Sequence, residues 1–217
     1  MKSKLAKILC LVMGAILLVT GTVAVTLAYL QDLTDSVTNT MTIGKVDIDL
    51  DESKVTVYGV KSGTARVKAN TYKLIPGQTY VKDPTIKVIK GSEECYVFFG
   101  IAIDTKLNGV LDTTNNVIAT QLNTNNWLPL QNTDKSQVTY TDTDGTVYNI
   151  YYNKNKVAAN DSADQSLKTF EKFSVGANAD VSGADTATIK VKAFAVQTAN
   201  LSTPQVAWEN SFKQSAT

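Results

Sequence analysis

The feature that most constrains this chain is a two-residue hydrophobic alternation that recurs from Val46 almost to the C-terminus. "VDIDLD" sets Val46, Ile48 and Leu50 on one side and Asp47, Asp49 and Asp51 on the other. Successive side chains of a strand point to opposite faces, so the pattern predicts a strand with one dry face. "KVTVYGV" (54–60) continues in the same style, and "YVKDPTIKVIKG" places Ile86 and Val88 opposite Thr85 and Lys87 before stopping at Gly91. "CYVFFGIAI" is apolar on both faces and reads as a central strand. "QVTYTDTDGTVYNIYY" reads as a hairpin turning at Asp144-Gly145, with Val147 to Tyr152 as the return strand. "TATIKVKAFAVQT" offers Ile189, Val191, Ala193 and Ala195 to one face and Lys190 and Lys192 to the other. Strands of this length, broken by Gly, Asn and Asp, predict an all-β fold of sandwich or jelly-roll type.

Helix signals are few. Thr203 followed by Pro204 is a cap with proline at the first helical position, so "STPQVAWENSF" predicts a short C-terminal helix. Thr113–Asn123 is a weaker helical candidate. Residues 105–135 and 153–165 are rich in Asn, Thr and Asp and read as surface loops. No repeat and no interdomain linker is visible, so 29–217 reads as one β domain.

The N-terminus has a different character. Met1 to Lys7 is basic, and Ile8 to Leu27 is apolar apart from Thr and Gly. Thr26-Leu27-Ala28 then offers small residues at the two positions a signal peptidase reads, which predicts cleavage between Ala28 and Tyr29. Residues 1–28 are therefore read as a helical export signal, and the protein as secreted. The competing reading is an uncleaved membrane anchor, since the apolar run is long enough to span a bilayer. Cys10 lies at the start of the apolar run rather than after it, so it is no lipoprotein box. Removing this segment takes Lys2, Lys4 and Lys7 from the 21 basic residues, leaving 18 against 20 acidic ones, a net charge of −2. A balance of that sign gives no general attraction to nucleic acid or to an acidic bilayer, so a membrane partner is expected only through an uncleaved leader.

Immediately after the leader, alternation resumes. Tyr29, Gln31, Leu33, Asp35, Val37, Asn39, Met41 and Ile43 fall on one side of "YLQDLTDSVTNTMTI", and every even position from Asp32 to Thr42 is small or polar. This is a strand pattern placed where a freshly cut chain would begin.

Candidate chemistry is sparse. The chain contains no histidine, which weighs against Ser-His triads, HExxH zinc sites and imidazole pH sensing. The row Asp47, Asp49, Asp51 could hold calcium, which prefers oxygen ligands, but no Gly-containing calcium loop accompanies it. The simpler reading is a solvated strand face that discourages edge pairing. "DTDG" at Asp142–Gly145 resembles part of a calcium loop and is better explained as a hairpin turn. Glu93 and Glu94 are adjacent on a strand and would not converge as an acid/base pair. Cys95, alone after cleavage, shares its face with Val97, Phe99, Ile101 and Ile103 and reads as a small buried hydrophobe. Tyr148, Tyr151 and Tyr152 read as cross-strand packing within the hairpin rather than as an exposed sticky patch.

Several segments together resemble the TasA/camelysin family of exported Gram-positive proteins. They are "TLAYLQDLTDSVTNTMTIGKVDIDL" (26–50), "PGQTYVKDPTIKV" (76–88), "GSEECYVF" (91–98), "TFEKFSV" (169–175), "VKAFAVQT" (191–198) and "AWENSF" (207–212). The resemblance runs from end to end, while 105–165 matches nothing in the family. It implies cleavage at Thr26, Ala28 and Tyr29 by a SipW-type signal peptidase and a jelly-roll-like β-sandwich with one or two short helices. It also implies a role as a structural subunit of biofilm-matrix or cell-surface fibres, with an accessory matrix protein as a further partner. In such fibres the N-terminal segment donates a strand to the next subunit, which here assigns Leu33, Val37, Met41 and Ile43 to a neighbour's pockets. Pairing of 29–43 within its own subunit shares the same pattern. Camelysin-type members have been described as metalloproteases, a label that does not carry over residue by residue to a chain without histidine. A secreted metal-dependent protease using the Asp47–Asp51 row and a non-polymerising adhesin or coat protein are the rival readings.

Overall fold

A computed structural model describes residues 45–112, 114, 117–160 and 162–213, with Lys4 and Met13 alone from the residues before them. The compact unit that begins at Ile43 is an antiparallel all-β sandwich. Its strands are β1 (Ile48–Val55), β2 (Lys61–Val67), β3 (Thr79–Val81), β4 (Thr85–Val88), β5 (Cys95–Ile103), β6 (Trp127–Pro129), β7 (Thr139–Thr141), β8 (Val147–Asn153), β9 (Gln165–Lys168), β10 (Lys172–Ser174) and β11 (Ile189–Gln197). Two short helices join them, α1 (Val117–Thr124) and α2 (Pro204–Ser211).

The first sheet runs β2-β1-β4-β9. A two-stranded ladder of β3 and β10 prolongs its β4–β9 pair past Pro84, where Thr169 N–H donates to the Pro84 carbonyl at 3.0 Å and Lys82 N–H to Glu171 at 3.0 Å. The second sheet runs β11-β5-β8-β6, with β7 also paired to β8. Between the sheets lies the core that the alternation predicts. Ile86 and Val88 of the first sheet meet Cys95, Val97, Phe99 and Ile101 of the second, with Ile48, Leu50 and Leu167 packed at the margin. β5 is central, as its two apolar faces require. Its other face carries Tyr96 and Phe98 beneath α2, where Trp208 lies 5.3 Å edge-on from Phe98. The Thr203 side chain caps α2 by accepting from Val206 N–H, with Pro204 in the first turn as expected.

The hairpin turns at Asp144-Gly145 as predicted, with Gly145 at φ +79. Tyr148 is buried and Tyr151 stacks on Phe99 at 5.2 Å, so these tyrosines pack rather than form a patch. One expectation needs correction. "KVTVYGV" does not continue as a strand: β1 ends at Val55, and Thr56–Val60 is a tight turn closed by Thr56 N–H to the Val60 carbonyl at 2.8 Å. Gly59 stands at φ +73, where a Cβ would lie 2.6 Å from the Tyr80 ring, so the turn is pressed onto a buried aromatic. The loop-like stretches 105–135 and 153–165 contain a 3-10 turn at Thr105–Leu107, α1, the short strand β6 and the start of β9.

Candidate functional site

The most site-like region is a margin of the sandwich, where β11 and the first half of β1 lie near one another with edges that are unpaired among the described residues. β11 is a nine-residue strand that bonds only to β5 among the described residues. The register fixes which of its groups are open. Asp104 N–H donates to the Thr188 carbonyl at 2.9 Å, and Thr198 N–H to Glu94 at 2.9 Å; both lie on the same ladder that pairs Ile189 with Ile103. In an antiparallel pair the residues that exchange bonds alternate with those that do not. Lys190, Lys192, Phe194 and Val196 therefore bond to β5. Ile189, Val191, Ala193 and Ala195 turn their N–H and C=O groups toward the open edge, and their side chains pack against the core between the sheets.

β1 repeats this arrangement over its first half. Ile89 N–H donates to the Asp47 carbonyl at 2.9 Å, so Asp47, Asp49 and Asp51 exchange bonds with β4, and Ile48 and Leu50 point theirs away. β2 covers that side only from Glu52 to Val55. Beyond it the Leu50 carbonyl accepts from the Lys68 ammonium at 2.8 Å. Ile48 and Leu50 also face the core. Both margins thus offer backbone groups on the residues whose side chains point inward. An extended segment entering here could bond along an edge and bury every second side chain.

A cavity of ≈ 640 Å³ opens at one end of this margin, lined in part by Leu50, Tyr72, Phe173, Ile189 and Val191. Its polar wall is a buried ion pair, with Lys82 Nζ 2.8 Å from Glu52 Oε2. Asn70 donates to Glu52 Oε1 at 2.9 Å and to the Ser53 carbonyl at 2.9 Å, clamping β1 where its register with β2 shifts. Beside it Asp83 accepts from the Ser53 N–H and hydroxyl, each at 2.7 Å, and from Lys61 at 3.1 Å. Burial works to raise the Asp83 carboxyl, yet these donors hold it below the usual carboxylate range. Tyr72 donates to the Val81 carbonyl at 3.0 Å, and burial, with the charges of Glu52 and Asp83, drives its phenol far above the ordinary value.

The aspartate row lies on the outer face of β1, and basic side chains take up its carboxylates. Asp47 pairs with Lys45 at 2.7 Å, Asp49 with Lys68, and Asp51 with Arg66 and with Lys87 at 2.6 Å. Burial opposes ionisation of Asp51, but Lys87 and Arg66 outweigh it and hold its carboxyl low. Among the described residues no group of three or more His, Cys, Asp or Glu side chains is placed to hold a metal ion. The hairpin acids are engaged in the same way, Asp142 with Lys192 at 2.6 Å and Asp144 with Lys190 at 2.9 Å. Glu94 accepts from the Thr198 hydroxyl at 2.6 Å and Glu93 stays exposed, so the two do not converge. Cys95 is fully buried, as its apolar neighbours imply.

Thr26, Ala28 and Tyr29 of the expected cleavage site, and Leu33, Val37, Met41 and Ile43 of the expected donor strand, lie outside the described residues. Sequence reasoning did not find the open margin. β11 and β1 were legible as strands, but which edge of each lacks a neighbour depends on pairings distant in sequence. No protein-family model matches the chain, and no curated protein or solved structure matches it either.

Proposed function

We propose that this protein is a secreted structural subunit of extracellular matrix or surface fibres, built on a jelly-roll-like sandwich and assembled by strand addition. In this reading a SipW-type peptidase releases the chain at Tyr29. Residues 29–43 then leave their own subunit and lie in the open margin of the next one. The observation that carries the reading is the coincidence, among the described residues, of open backbone and inward side chain at Ile189, Val191, Ala193 and Ala195 of β11 and at Ile48 of β1, beside Leu50, whose carbonyl holds Lys68. An alternating segment such as Met41-Thr42-Ile43 meets both requirements at once, while Asp35 shares the face of Leu33 and Val37 and must reach solvent or a basic partner. Backbone bonds supply affinity, and Leu33, Val37, Met41 and Ile43 supply buried apolar area. A head-to-tail contact of this kind does not close on itself, so it propagates a filament.

Electron microscopy of the mature chain (29–217) beside a chain starting at Gly44 tests the reading. Filaments from the first and folded monomers from the second are expected. Equal assembly by both chains would overturn it.

A further inference from the structure

The near-zero net charge, +1 for the whole chain, conceals a strong local imbalance. Between Ser53 and Lys82 the chain carries Lys54, Lys61, Arg66, Lys68, Lys73 and Lys82 and not one acid. Arg66, Lys68 and Lys82 turn inward to Asp51, Asp49 and Glu52. Lys54 and Lys73 are exposed and in no ion pair among the described residues, and the Lys61 side chain is 55% exposed while its ammonium lies 3.1 Å from Asp83.

These three lysines adjoin an apolar tip along the chain, Lys54 and Lys61 on either side of its first turn and Lys73 just before its second. It consists of two turns, Thr56–Val60 and Ile75–Gln78. Lys73 N–H donates to the Val57 carbonyl at 2.7 Å and the Gln78 amide to the Tyr58 carbonyl at 2.7 Å, tying one turn to the other. Gly59 seats the first turn on Tyr80. The tip exposes Val57 (46%), Tyr58 (47%), Val60 (62%) and Ile75 (38%), four of the seven large hydrophobic side chains exposed among the described residues.

We propose that this tip docks on an anionic phospholipid bilayer, with Val57, Tyr58, Val60 and Ile75 entering the interface and Lys54, Lys61 and Lys73 lying at the headgroups. The combination selects the occupant. A soluble polyanion would use the lysines and leave the apolar side chains without a purpose. A symmetric pairing of two tips would set each lysine collar against its own copy. A bilayer surface takes both, because its headgroup layer is negative and its acyl boundary accepts aromatic and branched side chains a few ångströms deeper. The turns are already tied together, so little chain entropy is lost on insertion. The proposal does not depend on strand addition, since the tip is distinct from the open margin.

The test is co-sedimentation of the mature chain (29–217) with vesicles of phosphatidylcholine alone or with phosphatidylglycerol added. Binding to the anionic vesicles only is expected, weakening steeply as salt rises to about 0.5 M. A lysine near an anionic surface contributes about fivefold in partition, so Lys54→Gln with Lys73→Gln should weaken binding on the order of thirtyfold. Tyr58→Ser with Val60→Ser should weaken it by at least tenfold with the lysines intact. All four positions are exposed, and an unchanged melting temperature separates lost binding from lost folding. Equal binding to both vesicle types would overturn the proposal, as would binding that survives the Tyr58→Ser, Val60→Ser change. Self-association through the tip without vesicles, lost in the same variants, would assign the surface to a second copy instead.

Discussion

Two adjacent proline substitutions on β11 separate the two sides of that strand. The register turns the Lys192 N–H toward Gly100 of β5 and the Ala193 N–H toward the open margin. Lys192→Pro removes a ladder bond, leaves a carbonyl unpaired at buried Gly100 and drives the ring into β5. A lost bond of about 1 kcal/mol and an unsatisfied buried carbonyl of about 1–3 kcal/mol sum to about 3 kcal/mol before the clash is counted. Ala193→Pro removes no bond among the described residues, and its cost should stay at or below about 1 kcal/mol, as for proline on an edge strand. Assembly should respond in the opposite sense. At residue 193 the ring blocks an incoming carbonyl and removes a donor, a loss of about 3 kcal/mol per contact, which raises the critical concentration about a hundredfold. Urea denaturation reads the first effect and light scattering against protein concentration the second. If Ala193→Pro assembled at the unsubstituted concentration, β11 would not be the accepting edge. If it destabilised the monomer as much as Lys192→Pro, the assignment of open amides would be wrong.

Other consequences concern the groups around the margin. Lys82→Met should cost about 3–5 kcal/mol in urea denaturation, because Glu52 is then buried and uncompensated, whereas Glu52→Leu with Lys82→Met should regain most of the loss. Asp51 and Asp83 are held below their unfolded values, so their contribution is present above about pH 4 and is lost as pH falls through the lowered native values. Melting temperature should therefore decline below about pH 4, and less steeply in Asp83→Asn. Burial, with the Glu94 charge, pushes the Cys95 thiol up to about 11. A thiol reagent at pH near 8 should modify Cys95 only as fast as the sandwich unfolds, which time-resolved mass spectrometry reads directly.

Sequence patterning revealed those strands whose burial is one-sided or complete. β1, β5 and β11 stand out because Ile48 and Leu50, Val97, Phe99 and Ile101, and Ile189, Val191, Ala193 and Ala195 each form an apolar face, and Asp144-Gly145 and Thr203-Pro204 announce a turn and a helix through backbone chemistry alone. β2 escaped because six of its seven residues are exposed, so "KSGTARV" has no dry face to alternate with. β6 is three residues long in an Asn-rich stretch, and β9, "QSLK", buries little beyond Leu167. The Asp47–Asp51 row was visible as carboxylates, but its partners Arg66, Lys68 and Lys87 come from neighbouring strands that only pairing brings near. The lysine-ringed tip was hidden by averaging, since acids elsewhere cancel the basic run from Lys54 to Lys82 in the net charge.

Residue-resolved hydrogen exchange on β11, before and after assembly of the mature chain, addresses the strand-accepting margin most directly. In the monomer the amides of Lys190, Lys192, Phe194 and Val196 should exchange slowly and those of Ile189, Val191, Ala193 and Ala195 quickly. In filaments both sets should be slow. Protection of the second set in dilute monomer, or its continued fast exchange in filaments, would contradict the account.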